Sequence, residues 1–320
     1  MKFEYEEILQ KLDCTTIPTI KMYFQTSNNI QTTIYEGNLE ESASKILFEN
    51  IIDFFNIQPI PFDNQKTYDF KGKKEDASIE ILNLEDFEIM NSIIQHTTRA
   101  TQDLTNLDFK KITSYIINLE FEDGESLYLF TAFQKGMYLD LNKKKFFKLD
   151  GDSLKEAILE NNLISIPKTF DICVYKNTVF FNNHSQQVLN KIIDFNVFYN
   201  STIDKTISLI KDANIFSDIN AFQIAIESKK DNKIIQNKLA RLYVTKKDSF
   251  TELTKMHSDQ VGKFRENFYK LKEETNLTFS LDENNKIKID TNNNEELLSL
   301  LSFLIDAYGK TFMLGNITED

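Results

Sequence analysis

Residues 114–134, SYIINLEFEDGESLYLFTAFQ, decide the fold class of this chain. Two mainly apolar runs flank Asp123-Gly124, a dipeptide that favours a tight turn between antiparallel strands. The segment therefore predicts a β-hairpin. Other hairpins are predicted at residues 19–36, at residues 170–183 with a turn at Lys176-Asn177, and at residues 277–290.

A basic loop marks one more predicted hairpin. MYLDL (137–141) and FFKLD (146–150) read as short strands, and NKKK (142–145) lies between them. Lysines are common at such a tip because their charge discourages pairing between sheet edges. The same lysines are candidate contacts for a phosphate backbone: Lys143, Lys144, Lys145 and Lys148.

Helical spacing fills most of the remaining chain. Predicted helices cover residues 4–12, 38–55, 85–100, 187–199, 203–216, 219–244 (one or two helices), 258–274 and 295–309. Hairpins and helices are grouped and do not alternate as βαβ units, so the predicted class is α+β. The N-terminal half is predicted to be rich in hairpins and to contain helices as well. The C-terminal domain is predicted to mix helices and hairpins. The pattern changes near residue 151, which predicts two domains, 1–150 and 151–320.

Charge is distributed unevenly along the 320 residues. The formal net charge of −12 argues against a nucleic-acid partner for the chain as a whole. However, residues 1–100 contribute −8 and residues 273–320 contribute −7, whereas residues 101–272 hold 22 acidic and 25 basic residues, a net of +3. A DNA-binding surface is therefore expected in the middle of the chain.

The histidines and cysteines are too far apart in sequence for a compact metal motif. They are His96, His184, His257, Cys14 and Cys173. Gly309-Lys310-Thr311 resembles the end of a P-loop, but position 304 is Leu where that motif requires Gly. No catalytic residue, metal ion, cofactor or small-molecule substrate is predicted. The thiols and the lack of a signal-peptide pattern or a membrane-length apolar run indicate a cytosolic protein.

One enzymatic alternative rests on Glu227-Ser228-Lys229. In some nucleases a strand ends in Glu-x-Lys, and an earlier Asp, here Asp212 or Asp218, helps to hold Mg²⁺. The preceding run AFQIAI is better suited to a helix than to a strand. Triplets of this kind also arise by chance about five times in a chain with so many charges.

A basic stripe is the stronger indication of nucleic-acid binding. If residues 230–243 form a helix, Lys230, Lys233 and Arg241 lie within one third of its circumference, opposite an apolar side. That apolar side consists of Ile235, Leu239, Leu242 and Tyr243. The pattern is typical of solvated amphipathic helices, but it also suits phosphate contacts that carry no sequence information. Candidate DNA-binding residues here are Lys229, Lys230, Lys233, Lys238, Arg241, Lys246 and Lys247.

The second half of the chain resembles a known family. FDICVYKNTVFFNN (170–183), KIIQNKLARLYV (233–244), SLDENNKIKID (280–290) and DAYGKTFMLGN (306–316) follow one another in this order. Together they are similar to KwaB, the soluble component of the two-gene Kiwa antiphage system, over roughly residues 165–315. The resemblance implies a bacterial defence protein that binds DNA with little sequence preference and blocks phage DNA replication or transcription.

The resemblance also implies partners. In this family KwaB works on the cytoplasmic side of KwaA, a small membrane protein with several spans. The resemblance further implies that the chain forms a homodimer or a larger homo-oligomer. The family brings no accepted catalytic residue, so we expect a non-enzymatic effector recruited to the inner face of the membrane. Two alternatives stay open: a metal-dependent nuclease, and an acidic interaction scaffold that binds partner proteins without binding DNA.

Overall fold

The computed structural model divides the chain into two compact units. Unit 1 comprises residues 1–68 and 72–194, and unit 2 comprises residues 69–71 and 195–320. The structure describes residues 2–13, 16–28, 31–57, 65–68, 70, 79–100, 102–134, 136–139, 146–150, 153–157, 163–183, 185–253, 266, 268–269, 272, 277–284, 286–290 and 293–305.

Unit 1 consists mainly of strands. Its helices are α1 (Lys2–Leu12), α2 (Glu41–Ile57), α3 (Glu88–Thr97) and α4 (Gln186–Leu189). Its strands are β1 (Thr19–Asn28), β2 (Gln31–Gly37), β3 (Gln65–Thr67), β4 (Ile79–Asn83), β5 (Gln102–Asp103), β6 (Ile112–Glu120), β7 (Ser126–Ala132), β8 (Tyr138–Leu139), β9 (Phe146–Asp150), β10 (Ser153–Ala157), β11 (Leu163–Ile164), β12 (Ile172–Tyr175) and β13 (Thr178–Phe181).

Nine of the described strands form one mixed sheet in the order β3-β4-β13-β12-β7-β6-β1-β2-β5. Neighbours are antiparallel except in the outermost pairs, β3–β4 and β2–β5, which are parallel. The predicted hairpin at residues 114–134 is confirmed at the centre of this sheet as β6–β7. The hairpins at residues 19–36 and 170–183 are confirmed as β1–β2 and β12–β13. The α+β class is therefore confirmed.

The main core of unit 1 lies between the sheet, α1 and α2. Leu129 of β7 is fully buried in this cluster, together with residues of both helices. Edge-to-face ring contacts add specific geometry: the centroids of Phe54 and Phe170 are 5.0 Å apart. The opposite sheet face is also covered, since the ring of Phe181 stacks on Tyr68 at 4.0 Å and contacts Phe87. Both faces of the sheet therefore exclude water.

The predicted hairpin between residues 137–141 and 146–150 is wrong. The strand β9 pairs with β10, with Asp150 opposite Ser153, while β8 pairs with β11. Only Gly151 and Asp152 separate β9 from β10. A two-residue connection that contains glycine favours a hairpin, and it loses less chain entropy on closure than the longer NKKK connection. NKKK (142–145) lies outside the described residues, and the strands predicted on either side of it do not pair with each other.

Unit 2 consists mainly of helices. Its elements are α5 (Phe195–Ala213), α6 (Ile219–Glu227), α7 (Lys233–Leu253), β14 (Ser280–Leu281), β15 (Ile287–Lys288) and α8 (Asn294–Leu304). The hairpin predicted at residues 277–290 is confirmed as β14–β15, and residues 219–244 form two helices. The helix predicted at residues 258–274 and the end of the one predicted at 295–309 lie largely outside the described residues.

Helices α5 to α8 enclose a separate apolar core. Phe222 of α6, Leu239 of α7 and Leu300 of α8 are all fully buried in it. The ring of Phe279 lies 5.3 Å from that of Phe303, which connects the hairpin segment to α8. The sequence placed a domain boundary between residues 150 and 151, whereas the compact units divide between 194 and 195. The reason is that β12 and β13 complete the sheet of unit 1.

Gly124 allows a clean test of the central hairpin. Its φ is 84°, and no atom lies within 4 Å of the position a Cβ would take. We expect Gly124→Ala to lower the free energy of unfolding of unit 1 by about 1–2 kcal/mol, because only the backbone is strained. Gly136→Ala is the matched control, since its Cβ also meets open space and its φ is not positive. Urea denaturation followed by circular dichroism measures both, and equal stabilities of the two variants would contradict the expectation.

Candidate nucleic-acid interface

The basic candidates of unit 2 lie on or next to α7, which runs parallel to α5. Near the start of both helices, Nζ of Lys233 donates to Oδ1 of Asn196 at 2.6 Å. Further along, Oγ1 of Thr206 donates to the carbonyl of Leu239 at 3.3 Å, and Nζ of Lys205 lies 5.5 Å from the ring centre of Tyr243. The start of α5 thus contacts the start of α7, and the second half of α5 contacts residues further along α7. The two helices are therefore parallel, with their N-termini at the same end.

The apolar side predicted for α7 is confirmed. The buried residues are Ile235, Leu239, Leu242 and Tyr243. The helix begins at Lys233 and not at residue 230, because Oδ1 of Asn232 accepts from the backbone N–H of Ile234 at 2.9 Å and caps the first turn. Lys230 therefore lies in the preceding turn, where its carbonyl accepts from Nε2 of Gln236 at 2.7 Å.

The basic candidates on α7 do not share one environment. Lys233 is exposed, and its ammonium lies 5.6 Å from the ring centre of Tyr199 as well as on Asn196. Nζ of Lys238 donates to Oγ of Ser302 on α8 at 2.5 Å. At ~100° per residue, Lys246 and Lys247 lie about 140° and 120° away from Arg241 around the helix, on opposite sides of it. The structure therefore places only part of the predicted set on one face.

Lys229 is distinct from the other candidates. Its Nζ atom is buried from solvent and has no hydrogen-bond partner in the described part of the chain. Oε1 of Gln236, a residue that is 5% exposed, is also buried and has no partner among the described residues. Gln236 is held beneath the turn by its bond to Lys230. Among the described residues, Lys229 in the turn before α7 thus leaves a donor unsatisfied, and Gln236 within α7 leaves an acceptor unsatisfied.

The remaining predicted lysines belong to unit 1. Lys148 lies in β9, whereas Lys143, Lys144 and Lys145 lie outside the described residues. The two groups of candidates, residues 143–148 and residues 229–247, therefore belong to different compact units.

The local structure around Glu227 differs from the nuclease pattern. Glu227 is the last residue of α6, so it ends a helix and not a strand. The carboxylate of Asp218 caps that same helix by accepting from the backbone N–H groups of Asn220 and Ala221 at 2.9 and 3.1 Å. Asp212 is exposed on α5. In the residues that the structure describes, no three His, Cys, Asp or Glu side chains are grouped to hold a metal ion.

Sequence reasoning missed a charge cluster that holds α1 against two hairpin ends of unit 1. Nζ of Lys176 lies 2.7 Å from Glu7 and 3.1 Å from Glu125, and Nζ of Lys11 lies 2.8 Å from Glu125. The buried phenol of Tyr175 contacts both carboxylates. The hydrogen bonds from Lys11 and Tyr175 lower the pKa of Glu125 to about 2, so this carboxylate is ionised near neutral pH.

The sequence held only separate, local indications of this charge cluster. Glu7 and Lys11 are four residues apart on α1, a spacing that places both on one helix face. Glu125 lies beside the predicted turn at Asp123-Gly124, and Lys176 lies in the predicted turn at Lys176-Asn177. Nothing local shows that the ends of two hairpins and a helix meet, because that depends on the strand order of the sheet.

Cys173 is a buried thiol, and burial raises its pKa far above the ordinary value. A thiol in this state is a poor nucleophile, because the thiolate is the reactive form. Among the described residues, no helix is long and apolar enough to span a membrane.

These features define a class: an α+β protein with one unit built on a mixed sheet and a second, mainly helical unit that carries a two-sided basic helix. A family model described as Kiwa protein KwaB-like matches residues 110–313. The chain belongs to this family, the KwaB-like proteins of Kiwa antiphage defence, which confirms the predicted resemblance. The match begins earlier than predicted, at the start of the central hairpin. No curated protein and no solved structure matches the chain.

Proposed function

We propose that this chain is an antiphage effector that binds DNA with little sequence preference and blocks phage DNA replication or transcription. The single observation that supports it most is the solvent side of the α6–α7 region, where Lys230 and Lys233 are exposed and Arg241 is partly exposed. Contacts of this kind neutralise phosphates and release counterions, whatever the base sequence.

The acidic residues elsewhere in the protein favour one orientation of the approaching DNA. Residues 1–100 carry a net charge of −8 and repel a polyanion. DNA therefore approaches where basic side chains are concentrated, and the wrong orientations are disfavoured. Lys143, Lys144, Lys145, Lys148, Lys246 and Lys247 extend the proposed contact.

The family context supports the rest of the proposal. A KwaA-like membrane protein is the proposed partner, and it recruits this cytoplasmic chain to the inner face of the membrane. A homodimer or larger homo-oligomer would multiply the weak phosphate contacts of one copy, because linked sites bind with a high effective concentration. The proposed effector acts by occupying DNA, with no catalytic residue and no cofactor.

The experiment is a titration of the full chain with a mixed-sequence duplex over a range of salt concentrations. The candidates Lys229, Lys230, Lys233, Lys238 and Arg241 set a limit of roughly −4.5 on the log–log slope, at ~0.9 per phosphate, and the slope is shallower because only part of the set lies on one face. Two unrelated duplex sequences should give the same affinity. No binding at low salt, together with capture of a protein partner, would support the acidic scaffold instead.

The same protein preparation tests the nuclease alternative. Plasmid incubated with Mg²⁺ or Mn²⁺ should stay intact, since Glu227 ends a helix and Asp218 is engaged as its cap. Cleavage that disappears in Glu227→Ala would replace the non-enzymatic proposal.

A further inference from the structure

A groove lies between the ends of α1 and α2 in unit 1. Its volume is about 530 Å³, and it is open to solvent. The lining includes Leu9, Leu12 and Asp13 from the end of α1 and Ile52, Phe55 and Asn56 from the end of α2. We call it the α1–α2 groove. None of the candidate DNA contacts belongs to this lining, so the proposed function gives the groove no role.

The floor of the α1–α2 groove is apolar. Leu12 and Phe55 are 4% and 3% exposed and belong to the main core of unit 1. Leu9 and Ile52 pack against the same core but are only partly buried. Their remaining apolar surface gains from being covered by a further side chain. The volume of the groove falls within the range of about 300–1,000 Å³ that is usual for binding pockets.

The C-terminal ends of α1 and α2 both lie at this groove. Each helix carries the equivalent of about half a negative charge at its C-terminus. The last turn of α2 contains no basic residue. The last turn of α1 contains Lys11, but its Nζ is engaged by Asp123 and Glu125. The two negative dipole ends are therefore not offset by a cation from these last turns.

Carboxylates add full negative charges beside the two helix ends. Asp13 is exposed in the lining of the groove, and no cation of the described residues pairs with it. Glu6 lies two helical turns earlier, on the same side of α1 as Asp13. Glu49 is exposed one turn before Ile52 on α2. The apolar floor is thus bordered by negative charge.

Two lysines near the groove offset part of this charge. Nζ of Lys168 lies 3.2 Å from Asp53, so these two charges neutralise each other. Lys45 is exposed four residues before Glu49, a spacing at which it weakens the field of that carboxylate. Neither lysine belongs to the lining. Asp13 and the two helix ends therefore remain the dominant charges at the groove itself.

We propose that the α1–α2 groove binds a basic amphipathic helix of another protein. An apolar side chain of that helix covers Leu9 and Ile52, and a neighbouring lysine or arginine contacts Asp13 and the carbonyl ends of the two helices. A small organic cation fits less well, because an open groove leaves much of its surface in water. The inference goes beyond the proposed function and does not depend on DNA binding.

A second copy of this chain is the competing occupant. Ile234 is 58% exposed beside the exposed Lys233, so unit 2 also combines apolar and basic side chains. A contact between unit 1 of one copy and unit 2 of the next would be heterologous. Such contacts give open filaments unless the rotation between copies closes a ring. We therefore assign the groove to a different protein.

A synthetic helix is the probe for the groove. It is a labelled peptide of about 18 residues with leucines at i, i+3, i+4 and i+7 and lysines elsewhere, so that one face is apolar. Its control has the same composition in shuffled order. Measured by fluorescence anisotropy with the full chain, the amphipathic peptide should bind at least about tenfold more tightly than the shuffled one. Equal binding of the two peptides, or no binding by either, would overturn the proposal.

Two matched double variants locate the binding site of the probe. The first, Asp13→Arg with Asn56→Arg, places cations at the groove. The second, Glu122→Arg with Gln95→Arg, adds the same charge at exposed positions outside the lining. Cations suit helix C-termini, so the first variant should fold normally, which circular dichroism checks. It should bind the probe at least about tenfold more weakly than the wild type, and the second variant less than about threefold more weakly. Equal losses would show that total charge, and not the groove, controls binding.

Hydrogen exchange of the wild type gives a readout that needs no substitution. The bound probe should slow the exchange of backbone amides at residues 9–13 and 52–57 and leave those of α3 unchanged, because an occupied groove opens less often. Protection confined to other segments would place the probe elsewhere and refute the assignment.

The mass of the protein in solution tests the competing occupant. Size-exclusion chromatography with light scattering should give the same mass for the wild type and for Asp13→Arg with Asn56→Arg, because the groove is not a contact between copies. A wild-type oligomer that this variant reduces to a monomer would assign the groove to self-association and overturn the proposal of a different protein.

Discussion

Reversing three charges, Lys230→Glu, Lys233→Glu and Arg241→Glu, is expected to weaken duplex binding at least about 100-fold at ~100 mM salt. Each substitution removes one proposed phosphate contact and places a carboxylate near the DNA backbone, so attraction to DNA becomes repulsion. None of the three residues belongs to the apolar core of unit 2. Fluorescence anisotropy with a labelled mixed-sequence duplex measures the loss, and circular dichroism confirms that the variant is folded.

The matched control reverses three exposed lysines of unit 1: Lys45→Glu, Lys110→Glu and Lys111→Glu. Both triple variants change the net charge by the same amount, so general repulsion between protein and DNA rises equally. Only the place of the change differs. The control should lose no more than about tenfold, because it leaves every proposed contact residue in place and salt screens the added general repulsion. If both variants lose binding to the same degree, total charge and not the α6–α7 region controls binding.

Leu129→Ala is expected to lower the free energy of unfolding of unit 1 by about 3–5 kcal/mol. Leu129 is fully buried on β7, with β6 and β12 on either side. The tight cluster between the sheet, α1 and α2 closes only partly around a deleted side chain, so a cavity remains. Hydrogen exchange of backbone amides at residues 112–132 measures the loss locally, independently of unit 2.

Ile46→Ala is the control for that measurement. Ile46 lies on α2 and is 60% exposed, so truncation removes little buried area. Its effect should stay within about 0.5 kcal/mol. A loss below about 1 kcal/mol for Leu129→Ala would mean that the sheet centre is loosely packed, contrary to the described structure.

Elements with strong local signals were predicted well. Asp123-Gly124 with its flanking apolar runs was sufficient to locate the central hairpin, because turn chemistry and alternation act within a few residues. The apolar spacing of Ile235, Leu239 and Leu242 was likewise sufficient to identify the buried side of α7. Even the late start of α7 had a local cause, the cap formed by Asn232, although the sequence interpretation did not use it.

Predictions failed where a segment had a choice of partners. The strand at residues 146–150 has a possible partner on each side in sequence, residues 137–141 and residues 153–157, and alternation alone cannot select between them. The structure pairs it with residues 153–157 through the shorter connection. The candidate site shows the same limit: helical spacing predicted a stripe of lysines, but not that Lys238 would bond to Ser302.

By itself, the sequence determined the α+β class, the two sides of α7 and the likeness to the KwaB-like family. These follow from periodicity, turn residues and element order, which are properties of neighbouring residues. Only the tertiary structure decided the strand order with its parallel outer pairs, the meeting of α1 with two hairpin ends, and the parallel packing that brings the starts of α5 and α7 together. Such arrangements depend on which distant segments bury each other's apolar faces at the lowest loss of chain entropy, and that balance is not encoded in any single stretch.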